Sequence, residues 1–141
     1  MPQVSRIETY EIPRDALYAV IADFESYPQF VEHMVSAKVL KVEGNRSRVA
    51  FKVHLIRDLP YTLDIYHDSP KRIWWELVES PIFKVSTGSW DLKYKSKNRT
   101  EVHYTVEVAP RLPVPSSIIK TLTESSLPRM MQAFVDRAAQ D

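Results

Sequence analysis

Six segments of this chain alternate apolar and polar residues and are joined by connections too short to cross over. They are Ala37 to Val42, Arg48 to Ile56, Tyr61 to Asp68, Arg72 to Glu79, Phe83 to Tyr94 and Glu101 to Ala109. Alternation of this kind, in runs rich in Val, Ile, Tyr, Phe and Trp, reads as half-buried β-strands. Glu43-Gly44-Asn45-Arg46, Ser69-Pro70-Lys71 and Lys95-Ser96-Lys97-Asn98-Arg99 are the turns within three of the strand pairs. A parallel neighbour needs a crossover of about a dozen residues or more, so these strands form an antiparallel meander. A meander with one apolar face must bury that face, and the rest of the chain has to supply the cover.

The cover comes from both ends. Ser5 to Ile12 reads as a first strand, and Pro13-Arg14-Asp15 opens a helix carrying Leu17, Val20, Ile21 and Phe24 at helical spacing. Pro28 fixes its own φ and pushes Tyr27 out of helical geometry, which predicts a corner there and a short second helix to about His33. After Pro110, Pro113 and Pro115, a long helix carries Ile118, Ile119, Leu122, Met130, Met131, Phe134, Val135 and Ala138, mostly on one stripe. Pro128 inside it predicts a kink or break just before it, since an interior proline removes one hydrogen bond at a cost of about 3 kcal/mol. The fold class is therefore α+β: a first strand, two short helices, a strand meander and a long C-terminal helix on the concave face of the sheet, all in one domain, residues 1–141.

Strand parity sorts the side chains. Val49, Phe51, Val53 and Leu55 face one way, with Tyr61, Leu63, Ile65 and His67; Ile73, Trp75 and Leu77; Trp90, Leu92 and Tyr94; and Val102, Tyr104, Val106 and Val108. Lys52, His54, Thr62, Asp64, Trp74, Glu76, Asp91, Lys93, His103 and Glu107 take the opposite face, towards water. Phe30, Phe51, Trp75, Trp90, Tyr104, Met130 and Phe134 then surround one interior, either as plain core or as the lining of a cavity.

Composition excludes several chemistries. With no Cys there is neither a disulfide framework nor thiolate catalysis. His33, His54, His67 and His103 are scattered without paired helical spacing, so no metal site is expected. Gly44 and Gly88 are the only glycines, too few for a phosphate-cradling loop, and no nucleophile elbow surrounds any Ser. No catalytic residue and no cofactor is assigned. The net charge of +1 gives no global field for nucleic acid. Lys93, Lys95, Lys97 and Arg99 form a local basic hairpin, read either as a solvated edge or as a contact surface for RNA, ribosome or anionic lipid. No apolar run approaches the roughly 18 residues that span a bilayer, and Met1-Pro2-Gln3-Val4 lacks the start of a signal peptide, so a cytoplasmic location is expected.

Three stretches, in this order and spacing, resemble one family. They are Ser26-Tyr27-Pro28-Gln29-Phe30; Leu77-Val78-Glu79-Ser80-Pro81-Ile82-Phe83-Lys84 with Gly88-Ser89-Trp90-Asp91-Leu92; and Leu127-Pro128-Arg129-Met130-Met131-Gln132-Ala133-Phe134-Val135-Asp136-Arg137-Ala138. From about Ile7 to Ala139 the chain resembles the START-like superfamily of polyketide cyclases/dehydrases and lipid-transport proteins, in the branch of the coenzyme-Q-binding proteins and the ribosome-association toxin. The resemblance implies a helix-grip fold, with a curved antiparallel sheet around the long C-terminal helix and an apolar cavity between them. Trp90 matches a cavity Trp found widely in the family. The polyketide aromatase/cyclases use a cavity Tyr and Arg, and here Met34 and His67 stand at or near those positions. The segment from Pro81 to Trp90 is one residue longer than in the relatives, which predicts a β-bulge near Ile82 or Thr87.

Residues and resemblance together give a non-catalytic binder of a hydrophobic small molecule, a polyprenyl quinone or similar lipid. Its expected ligand-binding residues are Tyr27, Phe30, Met34, Phe51, Leu63, Ile65, His67, Trp75, Trp90, Tyr104, Met130 and Phe134. Tyr27, His67 and Tyr104 would supply the few polar contacts. A polyketide aromatase/cyclase and a toxin-like protein that contacts the ribosome are the alternatives, and a transient membrane contact is expected of a lipid carrier.

Overall fold

In the computed structural model, which describes residues 3–54, 58–81, 83–110 and 127–140, the elements run as follows. They are β1 (Gln3–Tyr10), α1 (Arg14–Ala22), a 3₁₀ helix (Phe24–Gln29), β2 (Met34–Glu43), β3 (Arg46–His54), β4 (Asp58–Asp68), β5 (Arg72–Glu79), β6 (Phe83–Ser96), β7 (Arg99–Pro110) and α2 (Leu127–Gln140). The strands make one curved antiparallel sheet in the order β1-β7-β6-β5-β4-β3-β2. The meander runs from one edge inwards, and β1 returns to pair with β7 at the far end. Two short elements, α1 and the 3₁₀ helix, carry the chain from one edge of the sheet to the other. Among the described residues no helix is long and apolar enough to cross a membrane.

The turns follow from the sequence. Gly44 adopts φ 59°, the left-handed value that the first central position of a two-residue hairpin requires. His33 also takes a positive φ, 69°, where the chain leaves the helical corner and enters β2. β4 begins at Asp58, ahead of the expected Tyr61, because Pro60 is tolerated inside it. Pro60 pairs with Lys52 of β3, while the pairing of β4 to β5 begins only at Thr62–Glu79, so the missing N–H of Pro60 breaks no ladder on that side. The expected bulge near Ile82 falls at Lys84, between the pairs Phe83–Pro110 and Val85–Ala109, and not at Thr87.

The core lies between the sheet and the two helices. Leu17 and Ile21 of α1, Met131 of α2, Val49 of β3 and Val102 of β7 are fully buried. On α2 the buried set Met131, Phe134, Val135 and Ala138 follows helical spacing and faces α1 and the sheet. Thr100 is also fully buried, and its hydroxyl donates to the Ile12 carbonyl at 2.7 Å, tying β7 to the connection between β1 and α1.

Four expectations are corrected. The bend after α1 occurs at Asp23 (φ −90°, ψ 71°), not at Tyr27-Pro28, and Pro28 sits inside the 3₁₀ helix. The second short helix is therefore this turn of 3₁₀ geometry, which ends at Gln29 rather than near His33. Asp64, assigned to water by parity, is 5% exposed, because Arg48 reaches across from β3 and holds both its oxygens at 2.8 and 3.1 Å. Tyr94, assigned to the interior, is 59% exposed: it lies near the far end of the long β6–β7 hairpin, where its ring meets the Arg14 guanidinium. The start of the long helix near Pro115, the residues Ile118, Ile119 and Leu122, the kink before Pro128, and Leu55 lie outside the described residues.

Candidate functional site

The 3₁₀ helix is pinned before it can place anything. The Tyr27 hydroxyl donates to the Ile21 carbonyl at 2.5 Å, satisfying one of the carbonyls left open where α1 ends. Glu25 accepts from the Val39 N–H at 3.0 Å, which fastens the same turn to β2. Arg137 of α2 donates to the Gln29 side chain at 2.6 Å, and its guanidinium lies over the Phe30 ring. Tyr27 and Phe30 are thereby held between the sheet and α2.

Phe134 is the hub of the resulting cluster. Its ring meets Tyr27, Phe30 and Trp90 edge-on, each at a centroid distance of 5.1 Å. Trp90 meets Tyr104 at 4.7 Å, and Tyr104 meets Trp75 at 6.0 Å. On the other flank Tyr27 stacks on Phe51 at 5.9 Å and Phe51 on Tyr61 at 5.3 Å. These spacings fall in the roughly 4.5–7 Å range that aromatic pairs favour. Gly88 makes room for Trp75: a Cβ there would lie 2.5 Å from the Thr105 carbonyl oxygen and collide with the indole. Trp74, of opposite parity, lies on the outer face, stacked on Tyr66 and beneath the Arg72 guanidinium.

Eleven of the twelve expected site residues belong to this one interior cluster: Phe51, Leu63, Ile65, Trp90, Tyr104 and Phe134 buried, and Tyr27, Phe30, Met34, Trp75 and Met130 packed against them. The twelfth, His67, is at the margin, with its ring 5.6 Å from Phe24. Tyr61 was missing from the expected set, although its parity with Leu63 and Ile65 marks it as inward-facing.

The polar groups divide into spent and free. Tyr27 is committed to Ile21, and His67 Nε2 is bonded to the Ser47 hydroxyl at 3.0 Å. Burial holds the His67 imidazole below its ordinary value, so the neutral form is favoured. Tyr61 and Tyr104 have no hydrogen bond to their hydroxyls among the described residues. Burial pushes both phenols up, and the charge that Tyr61 would carry adds to the effect on Tyr104. Tyr27 is also raised, by burial first and then by the neighbouring Tyr104 and Tyr61.

The sheet opens beside these residues. β5 pairs with β6 only from Arg72–Asp91 to Trp75–Gly88, although β5 runs on to Glu79 and β6 starts at Phe83. A groove of about 370 Å³ flanks the opening, lined by Pro60, Tyr61, Thr62, Val78, Glu79, Ser80 and Pro81. A second, of about 460 Å³, is lined by Tyr66, Arg72, Trp74, Trp75, Glu76, Thr87, Gly88 and Ser89. Tyr61 and Trp75 thus border a groove and also touch the interior cluster. Neither groove borders Trp90, whose neighbours are rings.

This architecture has known counterparts. Residues 10–135 match the family model described as polyketide cyclase / dehydrase and lipid transport. The ribosome association toxin RatA of Escherichia coli is 27% identical over 98% of this chain and 87% of its own length. A START superfamily protein from Mycobacterium smegmatis superposes with a TM-score of 0.86 at 19% identity, covering 98% of this chain and 97% of that one. The Zhui aromatase/cyclase from a Streptomyces species also reaches a TM-score of 0.86, at 17% identity, covering 99% and 94%. The chain belongs to the polyketide cyclase / dehydrase and lipid transport family and has its START-like fold.

Proposed function

We propose that this protein binds a hydrophobic small molecule, a polyprenyl quinone or similar lipid, between the sheet and the C-terminal helix, and does not transform it. The observation that carries this reading is the ring cluster around Phe134, which presents Trp90, Tyr27, Phe30 and Tyr104 on the concave side of a fold whose family includes lipid transport. Apolar ligands bind in pockets that are mostly aromatic and aliphatic with few polar groups, and this cluster has that composition. Met34 and Met130, packed against this cluster, supply volume that can adjust around a guest. Binding without transformation is preferred because the aromatase/cyclases that this chain resembles use a cavity Tyr and Arg where it has Met34 and, near the Arg position, His67. Native mass spectrometry of the purified protein tests the proposal. A co-purifying apolar lipid is the expected result; a protein that carries none and takes up none from a quinone-loaded vesicle contradicts it.

A second reading, contact with the ribosome, is favoured by one separate observation. Lys93, Lys95, Lys97 and Arg99 are all exposed at the β6–β7 turn, and a relative that matches nearly the whole chain is a ribosome association toxin. The two readings use different surfaces and are tested separately.

A further inference from the structure

Tyr104 is 7% exposed, and no hydrogen bond reaches its hydroxyl among the described residues. A hydroxyl at the edge of an apolar interior gains by meeting an acceptor, and where the protein supplies none a guest can bring one. The Tyr61 hydroxyl likewise has no hydrogen bond among the described residues, and Tyr61, which is only half-buried, borders the groove at the opening between β5 and β6. Tyr27, the third phenol of the cluster, has its partner in the Ile21 carbonyl.

We infer that Tyr61 and Tyr104 are the polar recognition pair of the interior, two hydrogen-bond donors for a carbonyl oxygen of an otherwise apolar ligand. The inference rests on the apolar-ligand reading and deepens it by naming the ligand's polar group. A carbonyl oxygen brings two lone pairs and no proton, so it can accept from both phenols at once. The phenols stay protonated over the whole physiological range, because burial raises both. Their aromatic neighbours Trp75, Trp90 and Phe51 offer no competing acceptor. The groove at Tyr61 gives the carbonyl-bearing head a way in from the side of the sheet.

The test compares two probes on the wild type, Tyr61→Phe and Tyr104→Phe: a prenylated benzoquinone, and a hydrocarbon of the same chain length without oxygen. Each substitution removes a hydroxyl and keeps the ring. The quinone should bind each variant between about twofold and tenfold more weakly than the wild type, the worth of one ordinary hydrogen bond, while hydrocarbon binding is undiminished. Without ligand, Tyr104→Phe should melt at or above the wild-type temperature, because no bond is lost. Equal effects on both probes, unchanged quinone binding, or a lower melting temperature for ligand-free Tyr104→Phe would overturn the inference while leaving the apolar-ligand reading intact. If the wild type binds neither probe, the apolar-ligand reading itself fails, and this inference with it.

Discussion

The ring of Phe134 on α2 stands edge-on to the indole of Trp90 on β6 at 5.1 Å, and this contact fastens the C-terminal helix to the concave face of the sheet. Phe134 is 3% exposed and shares the same spacing with Tyr27 and Phe30. Phe134→Ala removes the hub of all three contacts and should cost about 3–5 kcal/mol, the usual range for a large aromatic in a core. Urea unfolding checks it: the midpoint should fall with an unchanged slope. A loss below about 1 kcal/mol would show that the helix is held elsewhere.

Acid should weaken the protein in two separate steps. Burial depresses the His67 pKa below the ordinary imidazole value of 6.5, so the unfolded state takes up this proton first. The stabilising effect of a neutral His67 is complete above the ordinary imidazole range and is lost as pH falls through the lower folded value. Asp64 follows at lower pH, because the hydrogen bonds from Arg48 hold its carboxyl below the usual carboxylate range. Its contribution is present above that range and disappears as pH falls through the depressed value. Melting temperature against pH should therefore show a first step that His67→Gln abolishes and a second that Asp64→Asn diminishes, the remainder coming from Glu43 and Glu101, whose carboxyls are also held low by basic neighbours. A first step that persists in His67→Gln would assign it to another group.

If the basic hairpin at the end of β6 and β7 contacts the ribosome, co-sedimentation with ribosomal subunits should weaken steeply with added salt, as expected where cations displace counterions from phosphates. Replacing Lys95 and Lys97 by Gln should lower both the affinity and the salt slope. Association insensitive to salt, or none at low salt, leaves the hairpin as a solvated edge.

The sheet and the interior set were legible because strand parity has a period of two and nearly every inward position is aromatic or aliphatic. Trp90, Trp75, Tyr104 and Phe51 fall on the expected face for that reason. Parity failed where a partner or an edge overrode it. Asp64 is buried because Arg48 stands opposite it in register on β3, a pairing visible only once the strands are aligned. Tyr94 is exposed near the β6–β7 turn, where its ring meets the Arg14 guanidinium at the start of α1 rather than an apolar side chain of the core cluster. The corner was misplaced to Pro28 because proline is tolerated inside a short 3₁₀ turn, while the bend at Asp23 leaves no comparable mark in the sequence. Tyr61 shares the parity of Leu63 and Ile65, so its inward position was legible too, although it is not among the expected ligand-binding residues. What faces inward was thus readable; which phenols lack a partner depends on geometry across the sheet and was not.

The central claim, that an apolar molecule binds against Trp90, is tested most directly by tryptophan fluorescence during titration with a long-chain prenylquinone. Trp90 and Trp75 belong to the interior cluster, while Trp74 lies outside it against Tyr66 and Arg72. The wild type should show saturable quenching, Trp74→Phe should keep nearly all of it, and Trp90→Phe should lose the larger part. Quenching that does not saturate, or that Trp74→Phe and Trp90→Phe diminish equally, would contradict the account.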